Sequence, residues 1–152
     1  MSDQPLTSVE HDINAYLPYL LAHASAMVSR QVDDMAAAQD LSRNEVKVLM
    51  VLIGMTEDQA GISLKELAEI MIVKQPTLSR VVDGMVRDGL VVRRTTDADR
   101  RAVALRLTPK GRRRAEPLLD QAGEQDSDLR RRLGAKNADQ LIRLLNDVIG
   151  AG

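Results

Sequence analysis

The chain contains no cysteine, no tryptophan and no phenylalanine, and Tyr16 and Tyr19 are its whole aromatic content. Without thiols there is no disulfide, no thiolate nucleophile, no thiol redox sensor and no cysteine-based metal site, and the absence agrees with a reducing compartment. Without aromatic faces the chain is poorly equipped to stack on single-stranded bases. The core has to be built from Leu, Ile, Val, Met and Ala, and a hydrophobic content of 44% over 152 residues suffices for one domain of usual size. No apolar run reaches the length of a membrane span, and the opening MSDQPLTSVEHD lacks the basic and apolar regions of a signal peptide. The expectation is a soluble cytoplasmic protein with no membrane partner. Also missing are a Gly-rich phosphate loop, a nucleophile elbow, a metal-ligand spacing and a Ser/His/Asp order, so nothing points to an enzyme and no cofactor is expected.

What is present is an uneven distribution of charge. The formal net charge of -1 hides a basic middle between acidic ends. Residues 1–60 carry 3 basic and 9 acidic groups, residues 61–114 carry 13 and 6, and residues 115–152 carry 5 and 7. A middle segment of net +7 suggests a surface turned toward a polyanion.

The pattern is mainly helical. LPYLLAHASAMVSRQVDDMAAA, from Leu17 to about Ala38, is Ala-rich and helix-favouring, with Pro18 placed where a first turn tolerates it. Ser42 and Glu45 have capping-box spacing before a second helix whose apolar face is Val46, Leu49, Met50 and Ile53. Ile62-Ser63 is long enough for no more than a stub of strand. Ser63 and Glu66 repeat the capping spacing at the start of LKELAEIM, and after a break at 72–74 a further helix opens at Gln75-Pro76. Its Leu78, Val81, Val82 and Met85 form one face, and Gly89 should end it.

Leu90–Thr95 and Ala102–Leu107 read as the strands of a hairpin whose tip is DADRR, the second strand alternating Val103, Leu105 and Leu107 against Ala102, Ala104 and Arg106. Thr108 and Pro109 open a helix that Gly134 interrupts, and a last helix over about Asn137–Ile149 aligns Leu141, Leu144, Leu145 and Val148. The fold class expected is mainly α with a small β-hairpin.

A short helix, a three-residue turn, a second helix and a hairpin follow the order of a winged helix-turn-helix module, whose second helix enters the DNA major groove. Outside its apolar face that helix carries Gln75, Thr77, Ser79, Arg80 and Asp83. All but the last are hydrogen-bonding groups suited to base edges and phosphates.

The run from Leu41 to Arg114 resembles the MarR family of dimeric bacterial transcriptional regulators. Its most specific element is D-x-R followed by an alternating strand ending in L-T-x-x-G, present here as Asp99, Arg101, Leu105, Leu107, Thr108 and Gly111. The resemblance implies a single MarR-type domain over 1–152. Its winged helix-turn-helix part is 41–112, and helical dimerisation parts lie at 6–38 and 109–150. It implies DNA contacts from Gln75, Pro76, Thr77, Ser79 and Arg80 on the recognition helix. It also implies a minor-groove contact from Arg101 at the wing tip, aimed by Asp99; a guanidinium suits the negative potential of a narrow minor groove. Arg100, Lys65, Lys74 and Arg112 fit phosphate neighbours. Two positions depart from the family pattern: Val46 stands where an aromatic residue is frequent, and Lys74 where an Asp or Ser often caps the recognition helix.

The partners implied are double-stranded DNA, a second copy of the chain in a homodimer, and a small-molecule effector. In the family such effectors are often anionic aromatic or phenolic compounds, and CoA thioesters belong on the same panel. Candidates to line an effector pocket are His11, Tyr16, His23, Met27 and Arg43. His11 and His23 are twelve residues apart with no carboxylate cluster between them, so no metal site is expected. A winged-helix module that binds protein rather than DNA is the alternative, and the basic middle and the D-x-R tip argue against it.

Overall fold

A computed structural model describes residues 13–55, 61–95 and 103–150. It divides the chain into two compact units, 1–43 and 44–152.

In the first unit a 3-10 turn, Ile13–Ala15, leads into α1, Leu17–Ala38. Pro18 lies in the first turn, where its missing N–H is not required. Past the C-terminus the amide of Leu41 donates to the Ala36 carbonyl at 2.9 Å, with Asp40 in the left-handed region at φ 52°. A short polar side chain is among the few that tolerate that conformation. Arg43 then reaches back to Asp33, its Nε donating to Oδ1 at 2.6 Å and a terminal guanidinium nitrogen donating to Oδ2. These hydrogen bonds hold the Asp33 carboxyl below its ordinary range.

The second unit contains α2 (Arg43–Ile53, beginning at the boundary), α3 (Leu64–Met71), α4 (Gln75–Arg87), β1 (Val91–Thr95), β2 (Val103–Leu107), α5 (Pro109–Leu133) and α6 (Ala135–Gly150). Its core is aliphatic, as the composition requires. Leu49, Leu67, Leu78, Met85, Leu105 and Leu118 are its largest fully buried side chains, and among the described residues no polar or charged residue is buried. Burial at Val46 removes nothing by lacking a ring: it is a core position filled by a smaller side chain.

The capping box of α3 is formed in full. Glu66 N donates to Ser63 Oγ at 3.2 Å, while Ser63 N and Oγ donate to Glu66 Oε2 at 2.9 and 2.6 Å. The helix ends at Ile72, whose φ of 54° and ψ of 49° form a left-handed cap on a β-branched residue that is 93% exposed. Three residues later α4 begins. At its far end Gly89 adopts φ 71° and the Leu90 amide donates to the Met85 carbonyl at 2.9 Å, so the chain turns directly into β1.

β1 and β2 are antiparallel with Val91 opposite Leu107, Arg93 opposite Leu105 and Thr95 opposite Val103. The stub at Ile62 pairs with Leu105 on the other edge of β2 through two backbone bonds of 2.8 and 3.3 Å. This changes one expectation. The alternation of β2 places Ala104 opposite in sense to Leu105, yet both are buried, while Val103 is 46% exposed. The backbone at Gly61 lies so close to β2 that a Cβ there would stand 2.9 Å from the Ala104 Cβ. A neighbouring strand therefore covers the face of Ala104, whereas Val103 belongs to the outermost described pair.

The start of α5 is joined to the start of the hairpin. Thr108 Oγ1 accepts from Gly111 N at 3.0 Å, capping the helix, and donates to the Gly89 carbonyl at 2.6 Å. Lys110 Nζ donates to the Asp88 carbonyl at 2.8 Å. α5 continues through Pro117 to Leu133, and α6 packs back on it after Gly134. There Arg130 bridges Asp126 at 2.7 Å and Asp139 of α6 at 3.1 Å.

Candidate nucleic-acid interface

The recognition helix expected from sequence is α4, and its burial divides cleanly. Leu78, Val82 and Met85 have no exposed surface, whereas Gln75, Pro76, Thr77, Arg80 and Asp83 are exposed and Ser79 is half-buried. With 3.6 residues per turn, Arg80 stands opposite the core-facing stripe and Thr77 on its flank. The geometry thus presents a hydroxyl, a guanidinium and, at the tip, a carboxamide on one outward surface. Groups of these kinds are able to hydrogen-bond base edges and phosphates.

The N-terminus of α4 is electropositive for two reasons. Its first turn has no acidic residue, and its N-cap, Lys74, makes no side-chain capping bond. The uncapped amides and the positive end of the helix dipole are left to an anion. Lys74 is itself exposed, as is Lys65 in the first turn of α3. Both line a shallow groove at the helix tip, together with Glu69 and Gln75.

Asp83 has a different environment from the other outward residues. Its Oδ1 pairs at 2.8 Å with the guanidinium of Arg93 on β1, joining the recognition helix to the hairpin. Sequence periodicity placed Asp83 on the outward face but gave no sign of this partner, which lies ten residues on in another element. Asp99, Arg100 and Arg101, the wing-tip residues expected to reach the minor groove, lie outside the described residues.

Arg112, expected as a phosphate neighbour, stands in the first turn of α5. It lines a cavity of about 550 Å³ with Leu52 and Met55 from the end of α2, Gly61, Leu105–Leu107 of β2, and Thr108 and Pro109 at the start of α5. Leu52, Met55, Leu105 and Leu107 supply its apolar surface, and Arg106, Thr108 and Arg112 its polar side chains. The cavity draws on three separate stretches of sequence, so no local signal marked it.

The expected pocket residues fall elsewhere. His11 lies outside the described residues. Tyr16, the N-cap of α1, and Met27 are exposed, and His23 is exposed with its ring 5.6 Å from that of Tyr19. Arg43 is committed to Asp33 near the other end of α1. At 1.5 Å per residue Tyr16 and Asp33 are roughly 25 Å apart, so within one chain Tyr16 and Arg43 do not share a small ligand. Among the described residues no three His, Cys, Asp or Glu side chains gather as a metal site, and no helix is long and apolar enough to cross a membrane.

Comparison with known proteins adds to this geometry. The family model described as "MarR family" matches residues 39–102. The HTH-type transcriptional repressor YetL of Bacillus subtilis is 30% identical over 112 residues, which span 74% of this chain and 66% of that repressor. The crystal structure of a MarR family transcriptional regulator from Silicibacter pomeroyi is 34% identical, with a TM-score of 0.75 over 90% of this chain and 97% of that one. The transcriptional repressor CouR bound to a 23-mer DNA duplex is 25% identical, with a TM-score of 0.74 over 97% and 99% of the two chains.

Proposed function

Because the chain belongs to the MarR family of transcriptional regulators, and is no enzyme, we propose that it is a homodimeric repressor that binds a pseudo-palindromic operator and is released by a small anionic ligand. The observation that carries the DNA reading is the outward face of α4. Gln75, Thr77, Ser79 and Arg80 offer donors and acceptors for base edges, beside a helix tip flanked by Lys74, Lys65 and Glu69. Arg101, directed by Asp99, serves the minor groove. Arg100, Lys65 and Lys74 serve phosphates. In a two-fold dimer the paired α4 helices read half-sites about one helical turn apart on one face of the duplex.

The dimer reading is supported by apolar side chains that one chain leaves exposed. Leu17, Leu20, Met27 and Val28 on α1, and Leu141, Leu144 and Val148 on α6, are all of this kind. Surfaces of that sort on a folded chain mark association.

The effector reading rests on the cavity beside β2. Its volume is in the range of small-molecule sites, and a carboxylate or phenolate on an aromatic body matches two guanidinium groups beside aliphatic side chains. A ligand held between α2, β2 and α5 touches the strand that leads down from the wing tip, which gives it a route to the DNA-reading elements.

A gel-shift against the DNA flanking the protein's own gene tests the proposal. Specific retardation is expected, with affinity falling by about 10³-fold or more between 50 and 200 mM salt. Release by one class among aromatic acids, phenols and their CoA thioesters identifies the effector. Equal binding to the flanking DNA and to a scrambled duplex would exclude a specific regulator and favour the protein-binding alternative.

A further inference from the structure

A carboxylate on the outward side of a DNA-reading helix is a liability, because it opposes phosphate wherever the helix sits. Asp83 is in that position. It lies one turn beyond Arg80 and on the same side of α4. Its charge is met by Arg93, and the pair remains partly solvated, with 53% of the Asp83 side chain and 41% of the Arg93 side chain exposed. Such a pair adds little to folding stability, so its stability contribution does not account for placing a negative charge there.

Its location does. α4 and β1 are connected through the turn at Asp88–Leu90, where Gly89 has φ 71° and no neighbouring atom would contact a Cβ. The turn is held by the Leu90 amide on the Met85 carbonyl and by Thr108 and Lys110 on the Gly89 and Asp88 carbonyls, all close to the C-terminus of α4. The Asp83–Arg93 pair is a further, polar attachment on the exposed side, more than a helical turn before the C-terminus of α4 and at the middle pair of the hairpin, where Arg93 is opposite Leu105. An attachment far from the turn restrains the angle between helix and hairpin more strongly than bonds at the turn itself.

We propose that Asp83 and Arg93 form a strut that fixes the angle between the recognition helix and the wing hairpin, so that both engage one duplex together. Asp83 is then a positioning residue rather than a DNA contact. The inference rests on the DNA-binding reading above, and it makes a prediction of opposite sign to simple electrostatics. Removal of a negative charge from a DNA-facing surface should strengthen binding to any duplex. Removal of a strut should weaken binding to the operator in particular.

The test compares wild type, Asp83→Asn, Arg93→Asp and the exchanged pair Asp83→Arg/Arg93→Asp, measuring affinity for the operator and for a scrambled duplex at one salt concentration. Asp83→Asn is expected to lose roughly two- to five-fold in operator affinity, the span an exposed ion pair accounts for, with scrambled-duplex affinity unchanged or higher. The exchanged pair should bind the operator better than Arg93→Asp alone. Since the chain has no cysteine, Arg87→Cys and Thr95→Cys provide unique spin-label sites on α4 and β1. Without DNA, Asp83→Asn should broaden the distance distribution between them.

Operator affinity equal to or above wild type in Asp83→Asn, parallel loss on both duplexes, or an unchanged distance distribution would each overturn the strut. A wild type that fails to discriminate the two duplexes would overturn the DNA reading instead. The spin-label distances would then decide the strut by themselves.

Discussion

Gly111 shows what one missing methyl group permits. A Cβ at that position would stand 2.0 Å from the Leu90 carbonyl oxygen, so only a hydrogen lets the first turn of α5 approach the entry to the hairpin. Thr108, three residues earlier, hydrogen-bonds Gly111 and the Gly89 carbonyl at once. The T-x-x-G end of the family motif is thus a joint between hairpin and helix. Gly111→Ala should cost roughly 1–3 kcal/mol through overpacking, read as a lowered urea midpoint. Arg101 is a prediction of another kind, since it concerns binding and not folding. Arg101→Ala should weaken operator affinity by roughly 1–3 kcal/mol while the sedimentation coefficient of the free protein stays the same. Undiminished affinity would remove the wing-tip role.

The element scale is governed by helix ends. α3 is only 8 residues long, too short to persist without a cap and tertiary packing, and Ser63 with Glu66 supplies the cap. Hydrogen bonds from the Ser63 hydroxyl and amide hold the Glu66 carboxyl below its ordinary value of 4.5. A carboxyl whose titration is lowered by folding stabilises the folded state above the unfolded value. That contribution is lost as pH falls through the lowered folded value. Ser63→Ala should therefore cost about 1 kcal/mol near neutral pH. It should also flatten the loss of stability below about pH 4.5, measured by urea unfolding across that range.

α4 presents the reverse case. Lys74 provides no capping bond, so Lys74→Asp should stabilise the fold by about 1 kcal/mol. The same change should weaken DNA binding by replacing a cation with an anion beside phosphate. Thermal unfolding and a gel-shift on one preparation would show the two effects moving in opposite directions.

At the scale of the molecule, the apolar surface of α6 matters most. Leu144 is 54% and Val148 59% exposed within one chain, so neither contributes much to its core. Replacing both by Glu should leave the circular dichroism and the unfolding midpoint close to wild type. The proposed dimer would bury them, and two carboxylates placed in that interface should yield monomer by sedimentation velocity. A tight dimer in that variant would remove α6 from the interface. Loss of dimerisation should also carry loss of operator affinity, because each half-site then has to be bound alone.

Much of this architecture is written in local signals. Pro18 and Pro76 in first turns, the Ser63–Glu66 spacing, Gly89 after Met85, and Thr108 before Pro109 each act over three or four residues. The helices and hairpin accordingly begin and end within a residue or two of where the sequence places them. The outward face of α4 was legible for the same reason, since a period of 3.6 separates it from Leu78, Val82 and Met85.

Other features depend on residues brought together from distant stretches. Ala104 is buried because Gly61 crosses it, Gly111 is required because Leu90 touches it, and Arg112 faces a cavity because α2 ends beside α5. Asp83 is the sharpest instance. Periodicity places it outside the apolar face of α4, and only the return of β1 alongside α4 supplies its partner Arg93. Sequence by itself determined the elements, several of their caps and the outward face of α4, because hydrogen bonds and helical periodicity act at short range. Tertiary structure decided which of those surface residues face a partner within the chain, because that depends on distances that no spacing along the sequence encodes.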